Sequence, residues 1–140
     1  MATTFEEALK STLQNINTSF DEADGDLHRV VASVSKALGD VTKILLVALN
    51  KVGENEEGTS YQLILTGPEV ATNVVAGFFV PAKGYPIKCQ TRTGALSDET
   101  YCKDKQELEK YFAAMASNPD SPLVTRSAFL MRSKKGAQSS

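Results

Sequence analysis

The chain carries one histidine, His28, and two cysteines, Cys89 and Cys102, so nucleophilic or metal chemistry must draw on these three, its carboxylates and its lysines. One histidine cannot build the common multi-histidine zinc sites. A serine–histidine or cysteine–histidine pair would have to use His28, and nothing in the sequence marks a partner for it. The cysteines lack CxxC spacing. Their neighbours Lys88 and Lys103 point away from the thiols along an extended chain, so neither thiol is expected to be activated. Both are read as reduced, Cys89 as a core thiol and Cys102 as a thiol in a loop or just before a helix.

Asp21, Glu22, Asp24 and Asp26 form a dense acidic cluster, which raises the question of a calcium loop. Such a loop places oxygen ligands at alternate positions and a glutamate at the twelfth. Counted from Asp21, the third, fifth and twelfth positions hold Ala23, Gly25 and Ala32. The pattern fails, and the acids read as a solvated helix face or turn. Neither phosphate-binding signature, GxxxxGK[ST] or GxGxxG, occurs. No catalytic residue, metal ligand or cofactor is assigned.

Two local features carry binding hypotheses. In Gly84-Tyr85-Pro86, glycine permits a tight turn and an aromatic before proline favours a cis bond, making Tyr85 a candidate aromatic anchor at a binding rim. Beyond it Lys88, Gln90 and Arg92 share one face of an extended strand, with Gln62 and Thr66 as neighbours on the same sheet. That face could meet phosphate or an acidic protein. Charge argues against nucleic acid. The net charge is −2, with ten acids against five bases in residues 1–58 and seven against ten in residues 59–140. The acidic half would repel phosphate.

The elements that position these residues follow from periodicity. Thr4-Phe5-Glu6-Glu7 fits a capping box. Apolar residues then repeat in sevens: Leu13, Phe20, Leu27, Val34 and Val41 in one series, Leu9, Ile16, Ala23, Val30, Ala37 and Ile44 in the other. The polar run 15–19 and a second capping box, Ser19-Phe20-Asp21-Glu22, favour a break into a helix pair. The alternative is one continuous helix. From residue 5 to 38 it would run ~50 Å at ~1.5 Å per residue, longer than the ~30–40 Å expected of a domain this size. A partner chain would then cover the overhang through Leu13, Phe20 and Leu27. Gly39 is expected to close the helix.

Residues 41–52 could extend the helix, but their dense apolar content favours a strand entering a hairpin at the turn-rich stretch 53–58. Further strands are expected at 60–66, where Tyr61, Leu63 and Leu65 share a face, at 74–80, where Phe78 and Phe79 point to opposite faces, and at 85–93. Residues 94–100 read as a loop. Asp104-Lys105-Gln106-Glu107 opens a helix bearing Leu108, Tyr111, Phe112 and Met115. Asn118-Pro119-Asp120 stops it, and Ser121-Pro122 starts another.

The expected architecture is a single α+β domain over residues 1–133 with a flexible basic tail at 134–140. An N-terminal helix or helix pair packs on a three- to four-stranded antiparallel sheet, followed by two short C-terminal helices. The N-terminus is acidic and lacks a signal-peptide pattern, and no apolar run is long enough to span a bilayer, so the cytosol is the expected compartment. The expected function is a non-catalytic protein-interaction module: an adaptor, an inhibitor or a small assembly subunit. Its partner would be another protein or a second copy of itself, with no membrane contact. The alternative is a nucleic-acid or small-anion binder using the basic sheet face.

Overall fold

The computed structural model describes residues 2–67, 70–93 and 96–139, and the side chains of 4–67, 73–91 and 99–132. Pro68, a proline that would stop the strand expected at 60–66, and Gly94, where the expected loop starts, lie outside the described residues.

Helix α1 runs without interruption over Ala2–Thr42, 41 residues and ~60 Å. This corrects the expected break at 15–19, and Thr4 lies within the first turns rather than capping them. Weak local propensity costs only tenths of a kcal/mol per residue, too little to interrupt a seam that continues on both sides. Ser19-Phe20-Asp21-Glu22 therefore sits mid-helix, with Phe20 packed against the core. The helix also ends later than Gly39. Lys43 takes a left-handed conformation, φ 67°, and its N–H donates to Gly39 O at 2.8 Å. Thr42 fixes the exit: its Oγ1 donates to Leu38 O at 2.8 Å and accepts from Leu45 N at 2.9 Å.

Five strands follow: β1 Leu46–Asn55, β2 Gly58–Gly67, β3 Val70–Pro81, β4 Ile87–Thr93 and β5 Leu96–Cys102. They pair in sequence order, each antiparallel to the next. Residues 41–52 thus hold the end of α1 and then most of β1, and the hairpin turns on Glu56-Glu57. The fifth strand occupies most of the expected loop. Its residues Ser97-Asp98-Glu99-Thr100 are polar because β5 is an edge strand, and its register is set by β4, with Thr100 opposite Cys89 and Glu99 opposite Gln90.

Helix α2 spans Lys105–Ser117, capped by Asp104, whose Oδ1 accepts from Glu107 N at 2.9 Å. Glu107 in turn accepts from Lys103 N at 2.8 Å. Helix α3 spans Pro122–Ser139, so the backbone is helical through 134–139. Ser121 caps it, accepting from Val124 N at 3.3 Å and donating to Met115 O at 2.7 Å.

The three helices cover one face of the sheet. Leu27, Val30 and Val31 of α1 meet Leu63, Leu65, Phe78, Val80, Ile87 and Cys89 of the strands, and Leu108, Phe112 and Leu123 of α2 and α3 close the core. Phe78 stacks on Phe112 with ring centroids 5.4 Å apart and meets Tyr111 edge-on. On the other face Phe79 is half-buried, lying over Gly58, where a Cβ would fall 2.8 Å from its ring. Among the described residues no helix is long and apolar enough to cross a membrane.

Candidate interaction surface

The acidic cluster of α1 turns out to fasten the helix to the sheet. Tyr61 on β2 donates its hydroxyl to Asp24 at 2.5 Å, and Tyr85, just before β4, donates to Asp26 at 2.7 Å. Arg29 completes the second site, its guanidinium 2.6 Å from Asp26. Burial opposes ionisation of Asp26, but the Tyr85 and Arg29 bonds outweigh it and hold the carboxyl below the usual aspartate value. Burial, and then the bonds to these aspartates, push both tyrosine hydroxyls above their ordinary range. Asp24 and Asp26 are therefore structural acceptors, not a solvated face.

Toward its N-terminus α1 touches the domain at Ser19. There Gly84, φ +95°, brings the β3–β4 turn so close that a Cβ on it would sit 2.6 Å from Ser19 O. Every residue from Thr4 to Ser19 is exposed except Ile16, which is half-buried. About 16 residues, ~24 Å of helix, thus project beyond the sheet. They are not uniformly polar. Phe5, Leu9 and Leu13 are 71%, 47% and 52% exposed, and with Ile16 they form one stripe along the projection.

Of the three residues expected at an interface, only Leu13 is open. Leu27 is fully buried in the chain's own core and Phe20 is half-buried against it, which corrects their assignment. Leu9 and Ile16 were visible in the second heptad series, and Phe5 was hidden inside an apparent capping box.

Tyr85, Lys88 and Gln90, the other binding candidates whose side chains are described, are engaged within the chain. Tyr85 follows the left-handed Gly84 and precedes Pro86 through a cis peptide bond. Its ring packs on the core and its hydroxyl is held by Asp26, so it is no free anchor. Lys88 and Gln90 lie on the outer sheet face, and both bond Glu99 Oε1 across β5, at 3.0 and 3.2 Å. The backbone of Arg92 pairs with Ser97, and its side chain lies outside the described residues. Gln62 and Gln90 share a cross-strand row with Gly77 between them. Thr66, on β2, pairs with Leu46 of β1 and lies two strands from Lys88. Phe79 and Tyr101 flank Lys88 in the next row.

His28 is exposed, bonded through Nδ1 to Asp24 O at 2.8 Å and edge-on to Tyr61. The two thiols are both buried, with sulfurs 3.6 Å apart. Cys102 closes β5 and stands just before α2, not in a loop. Burial pushes both thiols above their ordinary pKa, which leaves little thiolate for chemistry. Among the described residues no group of three or more histidine, cysteine, aspartate or glutamate side chains is placed to hold a metal ion.

A groove of about 1080 Å³ runs between the C-terminal half of α1, α2 and α3. Its α1 wall extends over residues 29–42, and alanines contribute from all three helices. Val41, 75% exposed, lies along it. Comparison with protein-family models, curated proteins and solved structures finds no match to this chain. Its function must therefore be read from these surfaces.

Proposed function

We propose that the chain is a non-catalytic interaction module, a small assembly subunit that associates with itself through the projecting part of α1. The observation that carries this reading is the open apolar stripe of Phe5, Leu9 and Leu13 on a helix with no cover of its own. A lone helix of this length is marginal in water, and the run Asn15-Ile16-Asn17-Thr18-Ser19 is a poor propagator. Cover from a second chain removes that weakness.

Burying the three exposed side chains contributes ~3–6 kcal/mol per stripe at roughly 1–2 kcal/mol each. Two stripes set against association costs of ~4–15 kcal/mol give an affinity governed by packing quality, so association is expected to depend on concentration. The alternative, anion or nucleic-acid binding by the outer sheet face, is weakened by Glu99, which places a carboxylate between Lys88 and Gln90. The test is light scattering over a concentration series. Wild type should rise in mass, while Leu9→Glu, Leu13→Glu should stay monomeric with an unchanged fold. Wild type that is monomeric throughout would remove self-association and leave a different protein as the partner.

A further inference from the structure

Cys89 on β4 and Cys102 at the end of β5 are both free thiols, and their sulfurs lie 3.6 Å apart. We infer that they form a redox modification site: a small hydroperoxide oxidises Cys102, and Cys89 then closes an intrachain disulfide with it. The inference is independent of self-association through α1.

Register brings the thiols together. Cys89 stands opposite Thr100 and Cys102 opposite Ile87, so the cysteines are diagonal neighbours on the core-facing side of the sheet. Diagonal residues stand ~7–8 Å apart, slightly more than the ~4.4–6.8 Å that most disulfides span between Cα atoms. Closing the bond therefore asks the backbone to move by roughly 1 Å. Strand β5 can supply that movement. It is an edge strand, Cys102 is its last residue, and Lys103 and Asp104 stand between it and α2. A bond closed at the cost of some strain is readily reduced, which suits a reversible modification.

Access differs between the two. Cys102 lines a pocket of about 390 Å³ between β4, β5 and α2, and Cys89 does not. Thr91, Thr100, Glu107, Lys110 and Asn118 give that pocket polar walls, suited to a small, hydrated peroxide. In the first step Cys102 Sγ attacks a peroxide oxygen and the O–O bond breaks. The thiol proton goes to the departing oxygen, which leaves as an alcohol (as water from hydrogen peroxide), and Cys102 becomes a sulfenic acid. Cys89 Sγ then attacks the Cys102 sulfur, the S–O bond breaks, and the departing hydroxide takes the Cys89 proton and leaves as water. The two thiols give up two electrons and the hydroperoxide takes them. Burial keeps both thiols protonated, which slows the first step. The second is fast because the sulfurs are already in contact, so the sulfenic acid should not accumulate.

The test treats the full chain with hydrogen peroxide and counts free thiols after denaturation. Wild type should lose both thiols together, run as a single chain on a non-reducing gel, give no sulfenic-acid adduct with dimedone, and recover both thiols in dithiothreitol. Cys89→Ala should trap Cys102 as a dimedone-reactive sulfenic acid, and Cys102→Ala should leave Cys89 reduced after wild type has lost both thiols. The wild-type measurements decide the disulfide by themselves, whether or not either variant folds. Wild type that keeps both thiols while folded, links into covalent dimers, or fails to recover in dithiothreitol would overturn the inference. Loss of Cys89 at the wild-type rate in Cys102→Ala would overturn Cys102 as the point of attack.

Discussion

Gly84 marks the point where α1 leaves the domain, and replacing it by alanine should be expensive for two separable reasons. Its φ of +95° is disfavoured for any residue with a Cβ, at ~1–2 kcal/mol. A Cβ there would also fall 2.6 Å from Ser19 O and 2.9 Å from Ser19 C. These are backbone atoms inside a helix and cannot swing aside, so the turn or the helix must shift, at ~1–3 kcal/mol. Reduced freedom of the unfolded chain returns ~0.4–1 kcal/mol. The net loss is ~2–4 kcal/mol, or ~6–12 °C of melting temperature at ~3 °C per kcal/mol for a chain of this size. Gly53→Ala is the control, because nothing lies within 4 Å of a Cβ at that position, and its midpoint should move by no more than ~0.5 kcal/mol. Urea and thermal unfolding of the two variants decide. Equal midpoints would refute the close approach of the turn to Ser19, and with it the place where the projection begins.

Asp26 should make stability acid-sensitive. Its folded pKa lies below the ordinary 3.8, so the unfolded chain takes up the proton first as pH falls. The contribution is complete above the ordinary value and is lost as pH drops through the folded one. Asp26→Asn should cost ~1–3 kcal/mol at pH 7 and flatten the loss of stability toward pH 3, so melting curves whose pH dependence matches wild type would contradict the Tyr85–Asp26–Arg29 account. On the outer sheet face, Lys88→Glu, Arg92→Glu should fold normally, and neither it nor wild type should bind single-stranded oligonucleotides at physiological salt. Wild-type binding that weakens steeply with salt would restore the nucleic-acid reading.

What the sequence reveals and conceals follows from the range of the interactions involved. The caps at Asp104 and Ser121 are legible because their partners lie three residues away. The alternation of Tyr61, Leu63 and Leu65 is legible because one strand face is buried. Strand β5 was hidden because its polar residues are explained only by Lys88 and Gln90 on the neighbouring strand. The continuity of α1 was hidden because the weak run 15–19 is outweighed by a seam extending far to either side. Leu13 and Leu27 occupy equivalent heptad positions, so periodicity cannot separate the open residue from the buried one. Only the place where the sheet ends does that. The Gly-Tyr-Pro motif was visible, but the partner of Tyr85 is Asp26, 59 residues away, and no local pattern connects them.

Hydrogen exchange of the amides in residues 8–19, followed at high and low protein concentration, tests the central claim most directly. The projecting helix is propagated from the folded domain but has no tertiary cover in a single chain, so its free form should open readily. When a second copy covers it, exchange should slow by at least ~100-fold, about 2.8 kcal/mol at 1.4 kcal/mol per decade. Dilution should abolish that protection while leaving residues 23–38, packed on the sheet, unchanged. Protection of residues 8–19 that is independent of concentration, or absent even at the highest, would contradict self-association through α1.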